Sequence, residues 1–146
     1  MLLNIAIAAF MMVATTTIHA GGMTLAIRAA RSQKSQLRSR LKHSRIYWTG
    51  GIVLLMFLVS LVEIWAWAAT YLVLNAIEGL DRALYFSTVT FTTLGYGDIV
   101  LDQRWRLLAS FEAVNGIIMF GWTTAIVVAT VQQVYLRKDA TETSQL

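Results

Sequence analysis

The sequence predicts an all-α membrane protein with three spanning helices and one re-entrant loop before the third. Three observations predict it. The 146 residues are 57% hydrophobic and only 14% charged, a balance that would leave large apolar patches on a soluble domain of this size. Three apolar runs each reach the length of about 20 residues that a helix needs to cross a bilayer. Between the second and third runs lies a shorter apolar segment that ends in closely spaced glycines and cannot cross.

The first run, residues 1–27, carries no Lys, Arg, Asp or Glu and reads as an N-terminal transmembrane helix. A cleaved signal peptide ending near His19-Ala20 is the competing reading. It lacks a positive n-region, and Ile18 is too large for the −3 position. Residues 28–45 form a basic linker with Arg28, Arg31, Lys34, Arg38, Arg40, Lys42 and Arg45 and no acid. Most of the net charge of +4 sits there, which argues for membrane topology rather than a nucleic-acid partner. The positive-inside rule places the linker in the cytoplasm, beside anionic lipids. Arg28, Arg31 and Lys34 have the spacing of a voltage sensor, but the Ala, Ser and Gln around them are too polar to cross lipid.

Residues 46–74 form the second run, with Tyr47 and Trp48 near one end and Trp65, Trp67 and Tyr71 near the other, as in interfacial belts. A polar turn follows, and Asp81 is the expected N-cap of a helix over residues 82–92. At about 18 Å that helix dips into the membrane and returns, a path tolerated only inside protein or beside water. Its negative C-terminal end favours a cation below it. The third run covers residues 104–136, and residues 137–146 are a short tail. The charge asymmetry gives a multi-pass protein of the cell (inner) membrane, N-terminus outside and C-terminus in the cytoplasm.

The stretch Thr92-Thr93-Leu94-Gly95-Tyr96-Gly97-Asp98 is built to present its backbone. Gly95 and Gly97 take φ > 0 at little steric cost, which turns successive carbonyls toward one side. Thr93 adds a hydroxyl oxygen at the foot of the row. Closely spaced oxygens without net charge suit a dehydrated monovalent cation.

These residues resemble the selectivity filter of pore-loop potassium channels, usually T-V-G-Y-G-D, with Leu94 at the valine. The likeness extends upstream through Ala83-Leu84-Tyr85-Phe86-Ser87 and downstream through Arg106-Leu107-Leu108-Ala109 to Gly116 and Phe120-Gly121. It covers a pore domain over residues 46–136, to which residues 1–27 are an addition within that bacterial family pattern. The resemblance implies a homotetrameric pore in which Thr93, Leu94, Gly95 and Tyr96 coordinate K+ and residues 93–97 form the filter. It implies no cofactor beyond the permeant ion. Alternatives are a weakly selective cation channel and a non-conducting membrane regulator that keeps the fold.

Asp98, Tyr85 and Thr92 are the expected filter supports, with Tyr85 donating to Asp98. Tyr85 and Phe86 replace the commoner Trp-Trp pair, and Phe86 has no donor for the hydroxyl of Tyr96. Val89 stands where some relatives place a bracing glutamate, and the proline often found after the filter is missing.

Glu63 and Glu112 are carboxyls inside apolar spans, costly enough to be functional candidates. By helix rise, Glu112 lies roughly 10 Å below Trp105 and Glu63 roughly 16 Å below Leu74, both near filter depth. Asn115 shares a face with Glu112. That polar face favours the cavity, where four Glu112 side chains would form an acidic ring that makes the current rectify. The alternative is that Glu112 or Glu63 braces the pore helix through Ser87, Thr88, Thr90 or Thr92. Gly116 fits a gating hinge or a close packing point equally. His19 and His43 read as isolated, and with no cysteine they cannot assemble a transition-metal cluster within the chain. No nucleophile–base pair appears, so no enzyme is expected.

Overall fold

A computed structural model describes residues 1–32 and 42–135. They form four helices: α1 (Leu2–Ser32), α2 (Lys42–Val73), α3 (Leu80–Phe91) and α4 (Arg106–Tyr135). Three of them contain stretches long and apolar enough to cross a membrane, Leu2–Ala29, Thr49–Val73 and Arg106–Gln132. The fold is all-α, and the protein is a multi-pass membrane protein. Helix α3 has 12 residues and does not span.

Both ends of the expected basic linker are helical, since α1 continues to Ser32 and α2 begins at Lys42. Its middle, residues 33–41, lies outside the described residues, as does the tail 137–146. The last span starts at Arg106 rather than residue 104, because the Trp105 amide bonds the Asp102 carbonyl at 2.8 Å in a preceding turn. Asp81 is not the cap of α3. Gly79 holds that position at φ 88, and Asp81 sits inside the first turn, where a negative charge suits the helix dipole.

Helix α2 ends in a reversal that fixes the entry to α3. The Ala76 amide bonds the Tyr71 carbonyl at 2.9 Å and the Asn75 amide bonds the Leu72 carbonyl at 3.0 Å. Asn75 sits at φ 51 between them. This is the Schellman arrangement, with asparagine standing in for the usual glycine.

Contacts fix the directions of the helices. Asn4 meets Arg104, Thr15 meets Asn115 and His19 meets Thr123, so α1 and α4 run parallel. Met11 meets Thr70, His19 meets Glu63 and Gly22 meets Val59, so α1 and α2 run antiparallel. The N-terminus therefore lies at the same end of the bundle as the glycine-rich loop. Helix α1 packs on α2 and α4 but, among the described residues, not on α3. Its buried positions are Asn4, Ala8, Met11, Thr15, His19, Gly22 and Ala26, one stripe of small and polar residues at three- and four-residue spacing. Leu2, Leu3, Ile5, Phe10, Val13 and Leu25 point outward, as expected where lipid is the solvent.

The main core joins all four helices around Trp67, Tyr71, Phe86, Phe91 and Leu108, with Ala8 and Met11 of α1 packed into it. Trp67 and Tyr71 are fully buried, so they are core residues and not part of an interfacial belt. Tyr47 and Trp65 do face outward.

Candidate functional site: the pore loop and its supports

The glycine-rich loop leaves α3 through a second Schellman reversal. The Leu94 amide bonds the Val89 carbonyl at 2.9 Å and the Thr93 amide bonds the Thr90 carbonyl at 2.9 Å. Thr93 occupies the left-handed position at φ 60, which is an outlier for a β-branched residue. Gly95 and Gly97 follow at φ 57 and φ 78. Positive φ thus recurs at every second residue of 93–97. The amides of residues 92–95 all return to carbonyls of α3. Among the described residues no carbonyl of 93–97 accepts a hydrogen bond. Residues 92–98 are exposed on the surface of the chain.

Two sets of contacts hold this loop. On its outer side, the Tyr85 hydroxyl donates to Asp98 at 2.7 Å, which joins α3 to the residue after the last glycine. That bond favours the neutral phenol and raises the Tyr85 pKa above its ordinary value. Phe86 turns inward instead, with its ring edge-on to Tyr71 at 5.2 Å. Thr92 donates to the Thr88 carbonyl at 2.7 Å and so closes the last turn of α3.

The second set lies behind α3. Tyr71 on α2 donates to Glu112 on α4 at 2.6 Å, and Ser87 on α3 sits 2.5 Å from the other carboxyl oxygen. Ser87 Oγ also lies 2.9 Å from the Ile64 carbonyl. One hydroxyl proton cannot serve both acceptors. The hydrogen count closes when the Glu112 carboxyl donates to Ser87 and Ser87 donates to Ile64. One buried carboxyl thus fastens three helices at a single point.

Glu112 is therefore not a cavity residue. It is fully buried within one chain, and the acidic ring expected from the sequence does not form. Asn115 also turns away from a cavity, since its amide donates to Thr15 on α1 at 2.9 Å. Gly116 is a packing point. A Cβ built there would collide with the carbonyl oxygen of Phe91, the last residue of α3. Glu63 does not reach the pore helix. It pairs with His19 on α1 at 3.0 Å, so His19 is not isolated either.

Sequence reasoning missed Tyr71 and His19 because each was read only against its own segment. The stripe 4-8-11-15-19-22-26 was the available signal, since small and polar residues at that spacing mark a packed face in lipid.

Residues 57–133, just over half of the chain, match the family described as ion channel. The chain belongs to the ion channel family. No curated protein and no solved structure matches it. The matched residues of this ion channel run from the middle of α2 through α3 and the glycine loop to near the end of α4. Helix α1 lies outside them and joins the matched region through polar contacts of Asn4, Thr15 and His19 and through Ala8 and Met11 in the core.

Proposed function

We propose that the protein is a potassium channel in which four copies surround one axis and each contributes one filter loop. The observation that carries this reading is the row of unpaired carbonyls at residues 93–97 on an open face of the chain. One loop cannot enclose an ion, and rotation about an axis closes the site with identical copies. The carbonyls of Thr93, Leu94, Gly95 and Tyr96 and the hydroxyl of Thr93 replace the hydration shell of K+, which passes down its gradient. The Tyr85–Asp98 and Tyr71–Glu112–Ser87 contacts keep the loop from collapsing when an ion leaves. The channel sits in the cell membrane with its filter and N-terminus outside. Residues 28–45 lie at the cytoplasmic leaflet, where anionic lipid favours the basic side chains.

A weakly selective cation channel is the second reading, favoured by Phe86, which offers Tyr96 no hydrogen-bond partner. Reconstitution of the purified protein in planar bilayers tests the first. Gly95→Ala should abolish potassium current while leaving a tetramer by subunit counting, because a Cβ opposes φ 57 there. Unaltered selective current from that tetramer would refute the filter assignment.

A further inference from the structure

The contacts of α1 with the pore converge on one pair of ionisable groups. His19 Nδ1 lies 3.0 Å from Glu63 Oε1, and both side chains are 0% exposed. His19 Nε2 lies 3.3 Å from the Thr123 hydroxyl on α4. One imidazole therefore touches both the outer and the inner helix. The position is deep, with His19 and Glu63 well inside the spans Leu2–Ala29 and Thr49–Val73. Among the described residues no other ionisable side chain faces it. On α1, residues 11–27 hold only His19, and on α2, residues 56–70 hold only Glu63. On α4, residues 119–126 hold none, and the Trp122 ring stands 6.1 Å from the imidazole. Glu112 and Tyr71 belong to the separate cluster behind α3.

We propose that His19 and Glu63 form an intramembrane proton-binding site that clamps α1 to the pore and makes channel opening depend on pH. The proton count gives the mechanism. With one exchangeable proton between them the pair is neutral overall, as imidazolium with carboxylate or as imidazole with carboxylic acid. Either form satisfies the Glu63 contact, and the Thr123 hydroxyl rotates to donate or accept at Nε2. Glu63 Oε2 is buried and has no partner among the described residues. A second proton, taken from water, goes to that oxygen and leaves imidazolium beside a neutral acid. The site then holds a net positive charge at a depth where an unpaired charge is costly. The ion pair is gone, and separation of α1 from α2 and α4 lets water reach the imidazolium. Release of Thr123 frees the half of α4 beyond Gly116. Uptake of that second proton rises as the pH falls, so acidification is the trigger.

The gating half of this inference rests on the channel reading, whereas the proton site does not, so two measurements separate them. Nitrogen-15 NMR of protein in lipid bilayers reads the site directly. In a His43→Gln background His19 is the single imidazole. Its signal, read together with the carbon-13 signal of the Glu63 carboxyl, should change in one step as the pH is lowered, and Glu63→Gln should displace or remove the imidazole's share of that step. Imidazole and carboxyl signals that are both flat with pH, or an imidazole signal identical in Glu63→Gln, overturn the proposal. Single-channel recording over the same pH titration reads the consequence. Open probability should change in one step in the His43→Gln protein, and the step should be lost in the double variant His19→Gln/Glu63→Gln. That variant keeps a hydrogen bond between α1 and α2 without an exchangeable proton, so it tests titration rather than folding. A titrating pair with an open probability flat in pH, or a step that survives in the double variant, also overturns it. A protein that never conducts refutes the channel reading and leaves the NMR result to decide the site.

Discussion

Removing a single hydroxyl or carboxyl separates the supports of the filter loop. The Tyr85–Asp98 bond is exposed, with Tyr85 at 42%, so it adds little to the stability of the bundle. Its effect falls on the loop. Tyr85→Phe should hasten the decline of current during sustained opening and leave the unfolding temperature unchanged, as read by recording and by thermal unfolding in detergent. The pH dependence has a definite sign. The raised phenol contributes fully below the ordinary value of about 10 and is lost as pH rises through the raised one, so alkali should mimic the variant. At Glu112 the hydrogen count predicts that shape matters more than charge. A glutamine there accepts from Tyr71 and donates to Ser87, so Glu112→Gln should keep current and stability. Glu112→Ala leaves both partners unmade and should cost about 1–3 kcal/mol by the same unfolding assay. Equal damage from the two substitutions would refute the protonated brace. The Tyr85–Asp98 contact was legible in the sequence because it spans one short helix and its loop. The facing of Glu112 was not. It depends on how α4 is rotated against α3, and a helix apolar on most sides carries no stripe that fixes its rotation.

At the scale of elements, α3 is held as much by what α4 lacks as by what it offers. Gly116 admits the Phe91 carbonyl, while nothing lies within 4 Å of a Cβ built at Gly121. Gly116→Ala should therefore push the pore helix outward and destabilise by about 1–3 kcal/mol, despite the better helix propensity of alanine. Gly121→Ala should be neutral or stabilise by up to about 1 kcal/mol. Thermal unfolding of the two variants decides between close packing and a hinge, since a hinge would make both tolerable to folding. The number of helices and their apolar lengths were legible, because bilayer thickness dictates them. Their ends shifted by a few residues where caps, rather than hydropathy, set the stop, as at Gly79 and Asn75. The docking of α1 was hidden because its inward face mixes Asn4, Thr15 and His19 with small residues and Met11, and so lacks the apolar stripe of a soluble helix.

For the whole molecule, one chain supplies a glycine-rich loop whose amides at residues 92–95 are tied to α3, while no carbonyl of 93–97 accepts a hydrogen bond among the described residues. In the proposed tetramer, four copies around an axis bring these unpaired carbonyls together. On that reading the completed pore distinguishes potassium from sodium. The most direct measurement is the reversal potential under bi-ionic conditions, with potassium on one side of a planar bilayer and sodium on the other. A reversal displaced far toward the potassium equilibrium potential is the predicted result, and a reversal near zero would contradict it.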